Sequence, residues 1–378
     1  LQDVHVDYAE RLLARLPSSL TRIVFVNSGS EANELALRLA RAASGARDMI
    51  VMEHGYHGNT TGAMDISPYK FHHPKGAGHA PDWVHVAPQP DLFRGAFRGD
   101  EAAPDYVDAV RQIIAGLGAQ GRSLAGFICE CVPSVGGQIV LPKGYLASVY
   151  ALVRAVGGVC IADDVQTSHG RLGHWFSGFA QQAVEPDIVV MGKPIGNGFP
   201  LAAVAMTTRV ADAFSRGPEF FSTFGGSSAA CAAGAAVLDV LQEEELQRRA
   251  REVGETMLTG LRELSTRHPL IGQVRGFGYF LGVDLVQSHD RREAATQAAS
   301  FVKTGTGWAK RGTTLDDVRL VKSLVGDRIK IKASGGIRSL ESLLAMYEAG
   351  ARRFGVNLRS GIRIIEAADQ SRTSAGGP

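Results

Sequence analysis

Apolar residues recur along this chain with two different periods, and the switches between them divide it into elements. Residues 3–16 set Val6, Ala9, Leu13 and Leu16 at helical spacing, which predicts an amphipathic helix with that face inward. Residues 22–26 form a short, largely β-branched run that leads straight into Asn27-Ser28-Gly29-Ser30-Glu31, and Leu35, Leu37 and Leu39 follow. Ser28 with Glu31 three places on is a capping box, so a helix starts there. Strands are expected at 49–53 and 83–87. From residue 105 the two periods alternate: helix 106–117, strand 124–132, helix 145–156, then strands 159–162, 188–191 and 202–206. Residues 229–268 have the pattern of a long helix broken near its middle. Residues 272–286 alternate glycine with apolar residues, as a strand pair would.

That alternation predicts an α/β fold, a mainly parallel sheet with helices on both faces, whose ligands gather at the carboxyl ends of the strands. Glu130, Asp163 and Lys193 all fall near such ends. The apolar run 188–191 stops at Gly192-Lys193, and Pro194, Gly196, Asn197 and Gly198 follow at once. A lysine delivered to the mouth of a sheet in this way is expected to be partly desolvated. Its amine is then neutral and able to form an imine with a carbonyl. The strand, small-residue turn and helix start around Gly29 and Ser30 make an anion site, because unpaired backbone N–H groups converge there. Glycines around Tyr56 and the histidines of 54–60 suggest a loop that lays a ring flat against something.

Asp163 and Asp164 point to opposite faces of their strand, so only one can face a bound group. Asp163 is the choice, because it shares its face with Val165, placed to pack on a ring. An imine-forming lysine, an anion cradle and a strand-end aspartate together call for an aldehyde cofactor with a phosphate and a basic ring nitrogen. Pyridoxal phosphate meets each demand. A two-carboxylate metal or acid–base site is the rival for Asp163 and Asp164, and it leaves Lys193 without a role.

Composition narrows the classes. The chain has 378 residues, 45% apolar and 21% charged, with a net charge of +2, ordinary values for a globular protein with room for two or three domains. No basic block or aromatic-interleaved basic stripe points to nucleic acid or a membrane surface, and no apolar run has transmembrane length. Cys129, Cys131, Cys160 and Cys231 sit in apolar runs, consistent with reduced core thiols and a cytoplasmic location. Neither these cysteines nor His72-His73 has companions at metal-ligand spacing, so no metal is expected.

The segments VNSGSEANELAL, HGYHGNTTGAMDISPYKF, IADDVQTSHGRLG, MGKPIGNGFP and FSTFGG resemble, in order and spacing, the class III, fold-type I, pyridoxal-phosphate aminotransferases over residues 1–299. DISPYKF, DWVHVAP, PSVGGQIVLP and GKPIGNG are most similar to the branch of ethanolamine-phosphate and phosphohydroxylysine phospho-lyases. The resemblance implies a Schiff-base role for Lys193 and a pairing of Asp163 with the pyridine nitrogen. It places Val165 under the ring, Tyr56 with His57 on its other face, and Gln166 at the ring hydroxyl. Glu130 lies near the ring, and Gly29 and Ser30 hold the phosphate with Thr223 of a second subunit. It further implies a small amine or amino-acid substrate and a homodimer. The chain departs from the family at Val135 and at Ser227-Ser228, and it is expected to lack the family's N-terminal segment and C-terminal small domain.

Residues 301–367 resemble instead the last three strand–helix units of deoxyribose-phosphate aldolase, through FVKTGTG and KIKASGGIRSLESLLAMYEAGARRFGVN. That resemblance implies a Schiff-base role for Lys303, a supporting one for Lys332, and phosphate loops at Gly335-Gly336 and Ser360-Gly361. A complete (β/α)₈ barrel needs about 250 residues, so aldolase chemistry at Lys303 is the second hypothesis. The third is a chain that binds the cofactor and turns nothing over. The expected division is a cofactor domain at 1–228, a linking helix and small-domain start at 229–299, and the aldolase-like part at 300–378.

Overall fold

The computed structural model describes residues 2–289, 292–295, 301–303, 313–325, 330–334, 336–356 and 358–374. Of these, side chains are described for all but 301–303, 324, 325, 353, 355, 358, 359 and 369–374. They form two compact units, 1–293 and 294–378.

The first unit is built on a seven-stranded sheet. Its strands are β1 (Leu20–Val26), β2 (Asp48–Met52), β3 (Val84–Ala87), β4 (Leu124–Glu130), β5 (Val159–Asp163), β6 (Ile188–Met191) and β7 (Ala202–Thr207), in the order β1-β7-β6-β5-β4-β2-β3. Only β7 runs against its neighbours. The carboxyl ends of β1, β2, β4, β5 and β6 therefore emerge along one edge. The strands read as continuous apolar runs because the sheet is covered on both faces; all seven residues of β4 are buried.

One face is covered by α2 (Gly29–Ser44), whose Leu35, Leu37 and Leu39 are buried. The short helices α3 (Thr61–Asp65) and α4 (Pro68–Phe71) follow β2. The other face is covered by α5 (Ala103–Ala119) and α6 (Tyr145–Ala155) over one half, and by α1 (Asp3–Leu13) over the other. After β7 come α7 (Thr208–Phe214), α8 (Ser228–Glu243) and α9 (Leu246–Arg267). The expected mid-helix break lies at Glu245, whose φ of 49° is left-handed. The expected strand pair is an antiparallel hairpin of β8 (Ile271–Phe277) and β9 (Phe280–Leu285).

Helix α1 corrects the sequence pattern. Its buried residues are Tyr8 and Leu12, and Val6 is 42% exposed. The Tyr8 ring stacks on Phe25 of β1 at 5.2 Å and lies against Gly234 of α8, where any Cβ would collide with it. The larger aromatic payload decides the rotation of the helix, and Val6 is left outside.

In the second unit, β10 (Phe301–Lys303), β11 (Lys330–Ser334) and β12 (Ala351–Gly355) form a parallel sheet in sequence order. Helices α10 (Leu315–Val325), α11 (Leu340–Glu348) and α12 (Leu358–Ser374) alternate with them. Lys303 and Lys332 are register partners on adjacent strands. The side chain of Lys303 and residue Gly335 lie outside the described residues. Gly336 adopts a φ of 79°, and Ser360 in the first turn of α12 is buried. Among the described residues no helix is long and apolar enough to cross a membrane, and no cluster of three metal-binding side chains occurs.

Candidate active site

Where β1 ends at Val26, the chain turns through Asn27 and Ser28 into α2. Ser28 caps the helix, its side chain accepting from the Glu31 amide at 3.2 Å. Glu31 Oε2 reaches back to the Asn27 amide at 2.9 Å rather than to that of Ser28, a capping box displaced by one residue. The first-turn amides of a helix have no intrahelical acceptor, and here they open beside Gly29 and Ser30. Gly29 is obligatory: a Cβ there would stand 2.9 Å from Val165 Cγ1. Gly58, at φ 142°, would put a Cβ 2.6 Å from Ser30 Oγ. These two glycines let three segments, the start of α2, the loop after β2 and the loop after β5, close on one another.

Those segments and the end of β6 enclose a cavity of about 160 Å³. Nine of the ten residues singled out from the sequence line it: Gly29, Ser30, Tyr56, His57, Glu130, Asp163, Val165, Gln166 and Lys193. The tenth, Thr223, is exposed and is not part of that lining; it sits in the stretch between α7 and α8.

Asp163 ends β5 at the back of the cavity, 4% exposed. Its Oδ2 accepts from His57 Nδ1 at 2.7 Å and Asn33 Nδ2 at 2.8 Å, and its Oδ1 from the Val165 amide at 3.1 Å. Asp164 faces the other way, as strand alternation requires. It is fully buried and accepts from Thr167 Oγ1 and the Gly178 amide. Burial, only partly offset by those donors, pushes its carboxyl up to about 7.

Glu130, at the end of β4, receives the Tyr56 amide at 3.1 Å and the Ser134 amide and hydroxyl at 3.0 and 2.6 Å. Burial first, and the neighbouring Asp163 second, hold its carboxyl above the usual range. It thereby ties the loop after β4 to the loop carrying Tyr56. The Tyr56 ring meets Tyr69 edge-on at 6.0 Å, with the Lys70 ammonium 5.3 Å from its centroid. Of the two histidines in 54–60, His54 is solvent-facing and His57 is buried.

Lys193 departs from expectation. It is exposed rather than desolvated, because β6 ends at Met191 and the chain turns outward at Gly192. Its φ of 38° is left-handed, a conformation that costs a non-glycine residue on the order of 1 kcal/mol. Its Nζ donates to Gln166 Oε1 at 2.7 Å. The amine thus stands at the open side of the cavity, with Asp163 at the closed side.

Asn33, Gly58, Val132 and Thr167 line the cavity without having been singled out from the sequence, and Asn33 is the most informative of them. It is 1% exposed, on a helix face otherwise occupied by Ala32, Ala36 and leucines. An asparagine among apolar helix positions needs a buried partner, and that mismatch is the signal that points to it.

The sequence model of the Aminotransferase class-III family matches residues 2–333. The chain belongs to that family. The match runs past residue 299 and into β11. Relatives of this class-III chain include alanine–glyoxylate aminotransferase 2-like of Drosophila melanogaster, 44% identical over 80% of this chain and 62% of that protein. Ethanolamine-phosphate phospho-lyase homolog 1 of Caenorhabditis elegans is 43% identical over 76% and 64%. The class-III chain therefore spans less than two-thirds of these curated relatives. Among solved structures, a phospholyase from Arthrobacter in complex with phosphoethanolamine is 38% identical with a TM-score of 0.71, covering 78% of this chain and 69% of its own. An amine transaminase from an uncultivated Pseudomonas species, solved with PLP bound, is 33% identical with the same TM-score and coverages.

Proposed function

We propose that this chain is a pyridoxal-phosphate-dependent enzyme acting on a small primary amine or amino acid. The observation that carries this is one cavity with a lysine amine at its mouth, a buried carboxylate at its back and a helix N-terminus at its side. The residues fit the cofactor. A carboxylate offers about four acceptor positions, and Asp163 has three filled, which leaves one for a ring N–H. Tyr56 and Val165 supply the two ring faces, Gln166 a partner for the ring hydroxyl, and Gly29 and Ser30 the amides for the phosphate. Thr223 would join them from a second copy, which makes a homodimer the minimal active unit. When bound, pyridoxal phosphate supplies an aldehyde that takes up the substrate amine and a ring that withdraws electrons from the α-carbon.

The chain's own groups then do the following. Lys193 Nζ, at the open side of the cavity, would be the group that removes the α-proton and returns a proton where the outcome requires one. Gln166 Oε1 orients that amine by its hydrogen bond. Asp163 would hold the ring N–H. Glu130 keeps the Tyr56 loop and the 131–137 loop in register over the cavity.

Two outcomes follow from the same proton removal: amino-group transfer to a keto acid, or loss of a phosphate leaving group. The likeness to the phosphoethanolamine-bound phospholyase, at 38% identity, supports the second, and the aminotransferase relatives support the first. Incubation with the cofactor and phosphoethanolamine, assaying phosphate release beside pyruvate-dependent transamination, separates them. Absence of phosphate release removes the lyase outcome. Absence of both, with the cofactor bound, leaves a binding chain without turnover.

For the second unit, three parallel β/α units in sequence order, with Lys303 and Lys332 as register partners, support a likeness to the end of an aldolase barrel. The three strands found among the described residues do not by themselves close a barrel. Aldolase chemistry through Lys303 is accordingly the lesser reading, tested by borohydride trapping with acetaldehyde.

A further inference from the structure

Asn33, His57 and the Val165 amide all reach the Asp163 carboxylate, while a polar atom on each of Asn33 and His57 goes unmet. Asn33 Nδ2 donates both to Asp163 Oδ2 and to the His57 carbonyl, each at 2.8 Å. His57 Nδ1 lies 2.7 Å from the same Oδ2. Asn33 Oδ1 and His57 Nε2 are buried without a partner. Leaving a buried acceptor unpaired costs about 1–3 kcal/mol, so the helix tolerates a poor residue at this position for some return. Asn33 also spans two segments, since it holds the backbone of the 54–60 loop and the end of β5 together.

We propose that Asn33 is a positioning residue acting through Asp163. By occupying Oδ2 together with His57, it fixes the carboxylate's rotation so that Oδ1 presents its one remaining lone pair to a basic ring nitrogen. This rests on the proposed pyridoxal-phosphate site and assigns Oδ1, rather than Oδ2, as the atom that meets the ring. In this role Asn33 acts through its hydrogen bond to Asp163 and not through a bond of its own to the substrate or cofactor.

The test uses the full chain and compares two ligands, pyridoxal phosphate and its deaza analogue with CH in place of the ring nitrogen. Dissociation constants are measured by fluorescence quenching for wild type, Asn33→Leu and the nearly isosteric Asn33→Asp. Thermal midpoints of the ligand-free proteins are recorded alongside. A hydrogen bond to a charged group is worth about a tenfold change in affinity. Asn33→Leu should therefore weaken pyridoxal phosphate by about tenfold, and Asn33→Asp, which adds like charge beside Asp163, by more. Binding of the deaza analogue should move by about twofold or less. Equal weakening of both ligands, or a lower thermal midpoint with neither affinity changed, makes Asn33 a packing residue and overturns the inference. A wild type that binds neither compound removes the cofactor site itself, a result distinct from either.

Discussion

At the residue scale the cavity depends on contacts with no slack. Gly58 combines a left-handed φ of 142° with a Cβ position 2.6 Å from Ser30 Oγ, so Gly58→Ala is strained on two counts. A destabilisation of about 1–3 kcal/mol is expected, with weaker cofactor binding because Ser30 moves. Thermal denaturation with and without pyridoxal phosphate checks it, and an alanine variant equal to wild type in both would contradict the tight-contact description. The same scale shows what a single sequence discloses. Charges at the ends of apolar runs stand out, which is why Asp163, Glu130 and Lys193 were legible. Asn33 was not, because its partner lies 130 positions away and its own surroundings look like ordinary helix core. The exposure of Lys193 was also hidden, since it follows from the backbone turn at Gly192 rather than from the apolar run before it.

At the element scale, β5 ends in two carboxylates with opposite surroundings. Asp163 receives donors from three residues, whereas Asp164 is buried deeply enough that its carboxyl rises from 3.8 to about 7. A carboxyl raised on folding favours the protonated state, so its contribution to stability is complete below 3.8 and is lost as pH climbs through about 7. Asp164→Asn removes that titration. Relative to wild type, the variant should gain stability steadily between pH 4 and 7 and hold the gain above it, measured by chemical denaturation across that window. A constant difference between the two proteins would show that Asp164 does not titrate there. Element boundaries were legible where the period changed sharply, as at β4, β5 and β6. The rotation of α1 was not. Of the expected face Ala9, Leu13 and Leu16 pack against the core beside the fully buried Tyr8 and Leu12, and Val6 lies outside; the pocket for Tyr8 exists only because Gly234 lies opposite in α8.

At the scale of the whole molecule, all thirteen residues lining the cavity fall between 29 and 193, inside the first compact unit. Beside Thr223, Phe221 and Phe224 are 79% and 72% exposed, an arrangement that suits burial against a second copy. Phe221→Glu combined with Phe224→Glu should shift sedimentation toward the monomer and weaken cofactor binding together. A dimer unaffected by both substitutions would place the interface elsewhere. The mainly parallel fold followed from the alternation of periods; a site shared between two copies rests on the resemblance alone, since exposed aromatics in one chain show a surface and not its partner. The central claim is that Lys193 captures the cofactor aldehyde. Borohydride reduction of the protein with pyridoxal phosphate, followed by peptide mass mapping, should place the label on Lys193 and lose it in Lys193→Ala. Label on Lys303, Lys332 or another lysine instead, with Lys193 unmodified, would contradict the account.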